Sequence, residues 1–190
     1  MSAPGSSGRS AIILAGGEST RMGRDKALLP FKGRPLVQNI FETIEPYFDE
    51  IILSSNHPER YGFLKARVVL DEETGRGPLM GLYSALRASS SEINFVVACD
   101  IPEVNVRFML SLLEHAAEYD AVVASIGEWR EPLFSVYRKS LTSVIRAVLD
   151  EGKNKITCVF GRCRVKYLQM EEAAWYRNIN TDEDYESLSR

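Results

Sequence analysis

The sequence predicts a doubly wound α/β fold built on one mostly parallel sheet. Short apolar runs alternate with longer amphipathic stretches along the chain, and several of the apolar runs contain no polar residue. Unbroken apolar strands are typical of parallel sheets that helices cover on both faces. Alternation of strand and helix then implies right-handed crossovers. The length of 190 residues, 45% of them hydrophobic, suits a single domain.

Each expected strand is a short apolar run, and each expected helix repeats apolar residues every three or four positions. The strands are residues 11–15, 50–54, 67–70, 93–98, 121–125, 132–137 and 165–168. The helices are residues 36–48, which Pro35 opens, and residues 79–88, 106–118, 140–150 and 182–188. Residues 1–10 are rich in Ser, Gly and Pro and lack the apolar segment of a signal peptide. We therefore expect a disordered tail over residues 1–10 and one domain over residues 11–190.

Composition argues against nucleic acid or a membrane surface as the partner. The net charge is −3, and no basic amphipathic run is present. No apolar run approaches the roughly 20 residues that cross a bilayer. The three cysteines, Cys99, Cys158 and Cys163, show no C-x-x-C spacing, so we expect reduced thiols in a cytoplasmic protein.

A glycine-rich loop with two cations follows the first strand. Gly16, Gly17 and Gly23 allow backbone N–H groups to approach an anion closely. Arg21 and Lys26 add positive charge, which is the combination that a triphosphate requires. The spacing matches neither G-x-G-x-x-G nor G-x-x-x-x-G-K-[ST], so neither a dinucleotide fingerprint nor a Walker A loop is present. The loop therefore predicts nucleotide binding in another type of site.

Two acidic residues follow later strands of the same sheet. Asp100 comes directly after the fourth strand, where a carboxylate could bind Mg²⁺ or cap the next turn. Asp71 follows the third strand and could accept from guanine or from a ribose hydroxyl. Gly77 and Pro78 open a helix whose first N–H groups could face a base, a ribose or a phosphate. The alternative for residues 71–82 is an ordinary surface loop and helix start.

The segment before the last helix offers amide oxygens. Asn180 or Asn178 could ligate the metal, whereas Asn180 or Thr181 could instead cap the helix. Both roles are compatible if one asparagine turns inward while the other caps.

Four motifs in this order carry a resemblance to a known family. They are L-A-G-G-x-S-x-R-M-G-x-D-K, G-P-L-x-G, C-D-x-P and N-x-N-T, spread over residues 12–188. The sequence resembles the molybdenum cofactor guanylyltransferases, the MobA family. The resemblance implies a Rossmann-like three-layer sandwich similar to the nucleotide-diphospho-sugar transferases.

The resemblance also implies roles for individual residues. Leu14, Ala15 and Gly16 would hold a guanine nucleotide through main-chain groups, with Gly17 and Gly77 beside them. Lys26 would contact the phosphates, Asp71 the nucleotide, and Asp100 the Mg²⁺, with Asn180 as a second metal ligand. Lys26, Asp100 and Arg21 would be the catalytic residues. At one position the chain departs from family members with an asparagine after the second strand, because it has Ser54 there and Asn56 two residues later.

The implied reaction is transfer of GMP from GTP to molybdopterin, with pyrophosphate as the second product. The implied partners are GTP, molybdopterin and other proteins of molybdenum cofactor assembly. Alternatives are CMP transfer to molybdopterin, nucleotide transfer to a sugar phosphate, and a GTP-binding assembly module without catalysis. The pterin side is expected in the later half of the chain, where Trp129, Arg130, Pro132 and residues 153–155 offer stacking or anion contacts.

Overall fold

The computed structural model of the chain describes residues 8–16, 25–171, 176, 179 and 181–188. Its strands are β1 (Arg9–Leu14), β2 (Pro30–Phe31), β3 (Arg34–Pro35), β4 (Glu50–Ser54), β5 (Arg67–Val69), β6 (Ile93–Ala98), β7 (Ala121–Ile126), β8 (Trp129–Arg138) and β9 (Val165–Gln169). Its α-helices are α1 (Leu36–Ile44), α2 (Pro78–Ala88), α3 (Val106–Glu114), α4 (Thr142–Asp150) and α5 (Asp182–Leu188). Within these described residues, five 3₁₀ segments connect them, at Lys26–Leu28, Glu45–Tyr47, Pro58–Arg60, Lys139–Leu141 and Ile156–Arg162.

Seven strands form one sheet in the order β5-β4-β1-β6-β8-β7-β9. All neighbours are parallel except those of β8, which runs antiparallel to β6 and to β7. β1 is an interior strand, and Ile12 pairs with Ile52 of β4 on one side and with Val96 of β6 on the other. The predicted α/β fold with a mostly parallel sheet is confirmed.

Helices cover both faces of this sheet, which gives three layers. Side chains that alternate along a strand enter opposite cores: Ile13 packs with α1 and α3, whereas Ile12 packs with α2 and α4. Phe95 lies in the first core, and its ring meets that of Phe134 edge to face with centroids 5.1 Å apart. Both faces of β1 are therefore dry, which explains its unbroken apolar sequence.

Several element boundaries differ from the sequence-based expectation. β1 begins at Arg9, so Arg9 and Ser10, which were assigned to the tail, lie in the sheet. α1 ends at Ile44 and passes into a 3₁₀ turn that contains Pro46, because proline cannot donate the next helical hydrogen bond. α3 ends at Glu114 and not at residue 118. The single-domain expectation for residues 11–190 stays a prediction.

β8 is the strand that departs most from its prediction. It begins at Trp129, three residues earlier than expected, and carries an irregularity opposite β7. Val123 pairs with Ser135, but the next residue, Ala124, pairs with Glu131. The Ser135 hydroxyl closes the resulting bulge by donating to the Glu131 carbonyl at 2.6 Å. Glu131 is only 6% exposed, although it lies outside the predicted strand.

The two-stranded sheet of β2 and β3 was not predicted. It is a short hairpin in front of α1, with Lys32 at a φ of 50° and Gly33 at a φ of 80° in its turn. Among the described residues, no helix has the length and apolar character needed to cross a membrane.

Candidate active site

The carboxyl ends of β1, β4, β5 and β6 meet at one edge of the sheet, as the parallel topology requires. Backbone hydrogen bonds continue past the strand ends. The Ala15 N–H donates to the Ser54 carbonyl at 2.9 Å, and the Cys99 N–H donates to the Leu14 carbonyl at 3.0 Å. Gly16 follows as an exposed residue. The loops after β1 and β6 therefore start side by side from fixed positions.

Three expected site residues lie outside the described part of the chain. They are Gly17, Arg21 and Asn180. Gly23 and Asn178 lie outside it as well. Their expected roles stay predictions.

Lys26 and Asp100 are connected through a single residue near the end of the chain. The Lys26 ammonium donates to the Ile179 carbonyl at 2.8 Å. The Ile179 N–H donates in turn to the Asp100 carbonyl at 2.9 Å. Ile179 is buried and stands between Asn178 and Asn180 in the sequence. The structure thus brings together the lysine and aspartate that the sequence singled out, and it places the backbone of Ile179 between them.

Asp25, the residue directly before Lys26, is held in place by three hydrogen bonds to its carboxylate. Its carboxylate accepts from the Ala27 N–H at 3.1 Å, which caps the short 3₁₀ turn. It also accepts from the Tyr61 hydroxyl at 2.9 Å and from the Arg60 guanidinium at 3.1 Å. Burial and the negative charge of Asp25 raise the pKa of Tyr61, so its hydroxyl stays a donor. Sequence analysis missed this anchor, whose one signal was the Asp-Lys pair of the first motif.

The electrostatic surroundings of Asp100 fit a cation. Burial raises the pKa of its carboxyl; the Lys26 ammonium lowers it, and the Glu131 carboxylate raises it. A bound divalent ion would stabilise the ionised form against that burial. The described residues contain no group of three or more His, Cys, Asp or Glu side chains that could hold a metal. Mg²⁺ does not require one, because it is commonly bound by one or two carboxylates together with substrate phosphates.

Asp71 lies at the same edge and is oriented by Asn56. The Asn56 amide donates to the Asp71 carboxylate at 3.0 Å, and its oxygen accepts from the Asp71 N–H at 2.9 Å. Burial raises the pKa of Asp71, and the hydrogen bond from Asn56 lowers it. Both the NH₂ group and the oxygen of the Asn56 side-chain amide therefore hydrogen-bond to Asp71. This pair was missed from the sequence, where Asn56 appeared only as a residue two positions beyond Ser54.

Gly81 of α2 packs against residues from β1, from β4 and from the loop that contains Asp71. A Cβ atom at this glycine would lie 3.0 Å from Ser54 Oγ and 3.4 Å from Asp71 Oδ1. It would also lie 3.5 Å from a methyl carbon of Leu14. The absence of a side chain at Gly81 therefore allows α2 to pack closely against a corner lined by Leu14 of β1, Ser54 of β4 and Asp71.

Gly77 precedes α2 with φ 74° and ψ −171°, a backbone conformation that strongly favours glycine. The expectation of free N–H groups at this helix start is corrected in part. The Leu79 N–H donates to the Asn154 carbonyl at 3.3 Å, and the Met80 N–H donates to the Gly77 carbonyl at 3.1 Å. Pro78 has no N–H to offer. The first turn of α2 is thus largely satisfied by the protein itself.

Comparison with known proteins decides the family. A family model described as the MobA-like NTP transferase domain matches residues 11–165. The chain belongs to this family. As a member, it is a nucleotidyltransferase, in agreement with the resemblance found in the sequence.

Relatives match this MobA-like chain over nearly its whole length. A probable molybdenum cofactor guanylyltransferase of Carboxydothermus hydrogenoformans is 36% identical over 183 residues, which cover 93% of this chain and 92% of the relative. The molybdenum cofactor guanylyltransferase of Syntrophotalea carbinolica is 34% identical, covering 95% and 90%.

Solved structures share the fold. The molybdopterin-guanine dinucleotide biosynthesis protein A of Archaeoglobus fulgidus superposes with a TM-score of 0.83 at 23% identity, covering 95% of this chain and 96% of that chain. A protein of Aquifex aeolicus superposes with a TM-score of 0.78 at 32% identity, covering 90% and 93%. The predicted similarity to nucleotidyltransferases of the nucleotide-diphospho-sugar transferase type is confirmed.

Proposed function

We propose that this MobA-like chain transfers GMP from GTP to molybdopterin and releases pyrophosphate, which yields molybdopterin guanine dinucleotide. The observation that carries the proposal is the convergence of Lys26, Asp100 and Asp71 at one sheet edge. The relatives named molybdenum cofactor guanylyltransferase, which align with more than nine tenths of the chain, support it.

The nucleotide would lie along the edge formed by Leu14, Ala15 and Gly16. These residues form the end of β1 and the start of the loop that contains Gly17, and Gly77 would contact the nucleotide from the start of α2. The base would lie at the corner beside Gly81, where the Asp71 carboxylate can accept its hydrogen bonds.

Asp71 favours guanine over the other bases. Guanine presents two adjacent donors, N1–H and the 2-amino group, and an ionised carboxylate presents two acceptors. Cytosine and adenine each present one donor beside a ring nitrogen that accepts, which would face a carboxylate oxygen unfavourably. The two adjacent donors of guanine therefore favour a guanylyltransferase over a cytidylyltransferase.

Lys26 and Asp100 would act at the phosphates. Mg²⁺, held by Asp100 and Asn180, would neutralise charge on the α- and β-phosphates. The Lys26 ammonium is positioned by the Ile179 carbonyl and would stabilise charge that builds up on the departing pyrophosphate. Arg21 would add a second cation.

The chemistry is an in-line displacement at the α-phosphorus. An oxygen of the molybdopterin phosphate forms the new bond to that phosphorus, and the bond to the oxygen that bridges to the β-phosphate breaks. The attacking oxygen is anionic near neutral pH, so the protein does not have to remove a proton. Repulsion between anions is the barrier, and positioning plus local positive charge is what the site provides.

GTP labelled in different phosphates tests the proposal. With molybdopterin and Mg²⁺, label from the α-phosphate should appear in a dinucleotide product, and label from the γ-phosphate should appear in pyrophosphate. Transfer of the γ-label to the acceptor would contradict nucleotidyl transfer. Binding of GTP without transfer of either label would favour the assembly module, and transfer to a sugar phosphate in parallel reactions would favour that alternative. Asp100→Asn is the matched inactive control.

A further inference from the structure

Arg130 is a cation at the edge of the sheet that carries the candidate active site, and the chemistry proposed above does not use it. It lies near the start of β8 and pairs with Ser125, close to the carboxyl end of β7. β7 runs in the same direction as β6, because both are antiparallel to β8. In the part of the chain that the structure describes, no carboxylate lies within salt-bridge distance of its guanidinium. One Arg130 nitrogen donates to the Gly127 carbonyl at 3.2 Å, which holds the side chain in place. Its remaining N–H groups are in a position to meet an anion.

An aromatic ring lies beneath this guanidinium. The Arg130 guanidinium carbon is 4.3 Å from the centroid of the Tyr167 ring, a stacked cation–π contact. Tyr167 meets Phe160 edge to face at 6.2 Å, and it belongs to β9, the last strand of the sheet. Although Tyr167 is 39% exposed, its ring is supported from two sides. Arg130 and Tyr167 together form a flat, positively charged surface, here called the Arg130–Tyr167 platform.

The platform lies on the same face of the sheet as the proposed base corner. Arg130 pairs with Ser125 and Tyr167 pairs with Val123, and Val123 belongs to the core under α2 and α4. Leu14 packs against this core too. Trp129 is the next residue along β8 and therefore points to the opposite face. Trp129 and Arg130, which the sequence analysis placed together on the pterin side, therefore lie on opposite faces of the sheet.

Charge around the platform suits an anionic ligand. Residues 152–170 contain five cations, Lys153, Lys155, Arg162, Arg164 and Lys166, and no acidic residue. The chain as a whole has a net charge of −3. Glu151 pairs with Lys153 and Arg162, and Asp120 pairs with Arg164. Among the described residues Lys155 and Lys166 have no such pair, and their charge would attract an anion to the side of the sheet that carries β9.

The span from Asp100 to the platform also fits one molecule. β9 is separated from β6 by two intervening strands, so the distance between them is roughly 14 Å at about 4.8 Å per strand. The Arg130 guanidinium lies within this span. A fused-ring ligand joined to its phosphate by a single methylene can place the phosphate at Asp100 and its rings at the platform.

We propose that the Arg130–Tyr167 platform binds the ring end of the acceptor, an anionic fused heteroaromatic system, while the acceptor phosphate lies at Asp100. The assignment rests on the function proposed above. The acceptor ring stacks on the guanidinium or on the exposed edge of the tyrosine, and the free N–H groups of Arg130 pair with its anionic substituents. Arg130 and Tyr167 are then specificity residues for the acceptor and have no contact with GTP.

The test separates the two substrates by steady-state kinetics of pyrophosphate release. Arg130→Gln keeps the length of the side chain and removes its charge, so the KM for molybdopterin should rise about tenfold or more, since a charge-assisted hydrogen bond is lost. The KM for GTP and kcat at saturating acceptor should stay unchanged. Tyr167→Ala should raise the acceptor KM several-fold, and Tyr167→Phe, which keeps the ring, should behave like the wild type.

Lys65→Gln is the matched control. It removes the same unit of charge from an exposed residue just before β5, at the opposite edge of the sheet. Equal acceptor KM values for Arg130→Gln and Lys65→Gln would overturn the assignment, and so would an increase in the KM for GTP. If Arg130→Gln lowers the melting temperature, Arg130→Lys, which keeps the charge, should recover most of the acceptor affinity. No pyrophosphate release by the wild type would remove the proposed function itself, and this assignment with it.

Discussion

Substitution of Gly81 by alanine tests the position of the nucleotide base. The change adds one methyl group inside α2. The new Cβ atom would lie 3.0 Å from Ser54 Oγ and 3.4 Å from Asp71 Oδ1. The contact with Ser54 is short for carbon and oxygen, so the serine hydroxyl must move by a few tenths of an ångström, whereas the contact with Asp71 lies at the lower limit of ordinary van der Waals contact. We expect GTP binding to suffer more than folding.

The magnitudes follow from opposing effects. Alanine in a helix interior is favoured over glycine by about 1 kcal/mol, whereas overpacking a buried site costs typically about 1–3 kcal/mol. The free energy of unfolding should therefore fall by about 2 kcal/mol at most. A charge-assisted hydrogen bond to Asp71 is worth about 1.5–3 kcal/mol. Its loss would raise the Kd for GTP by roughly tenfold to a hundredfold, because 1.4 kcal/mol corresponds to a factor of ten.

Calorimetric titration with GTP and Mg²⁺ measures the Kd for GTP, and urea denaturation measures the free energy of unfolding. Gly161→Ala is the matched control, because a Cβ atom there would meet nothing within 4 Å. Ser54→Ala removes the hydroxyl of the tightest contact, so adding it to Gly81→Ala should recover the lost stability. Unchanged GTP affinity in Gly81→Ala would refute the placement of the base between Leu14, Ser54 and Asp71.

Three further substitutions probe other parts of the site. Lys26→Ala should lower turnover about a hundredfold or more, whereas Lys32→Ala, six residues later, should leave it unchanged; equal turnover in both would contradict the role of Lys26. Asn56→Ala should weaken GTP binding about tenfold. Because it removes a hydrogen bond that lowers the pKa of Asp71, the loss of GTP affinity at acid pH should begin at a higher pH than in the wild type, and an unshifted pH profile would contradict this. Gly77→Ala should lower the free energy of unfolding by about 1–3 kcal/mol in urea denaturation, because φ at this residue is 74°; an unchanged midpoint would show that the turn relaxes.

Local patterns in the sequence were sufficient for most of the fold. β4 and β6 have the predicted boundaries, because a strand buried on both faces is an unbroken apolar run. β8 was predicted too short, because Trp129, Arg130 and Glu131 resemble a polar turn. Burial of Glu131 depends on a bulge closed by the Ser135 hydroxyl, and no periodic pattern encodes that contact.

The candidate site likewise has residues that the sequence predicted and contacts that it did not. The rule that ligands lie at the carboxyl ends of parallel strands predicted that Lys26, Asp71 and Asp100 would share an edge. The groups that orient them come from distant parts of the chain. Ile179 is 153 residues away from Lys26, and Tyr61 is 36 residues away from Asp25. Such contacts depend on how the completed fold packs, so a single sequence does not indicate them.

Pyrophosphate release from each of the four nucleoside triphosphates, with Mg²⁺ and with or without molybdopterin, tests the central claim most directly. The account predicts release that requires both GTP and the pterin, since Asp71 presents two acceptors to guanine and the acceptor phosphate is the nucleophile. Release with CTP, or release from GTP that does not depend on molybdopterin, would contradict it.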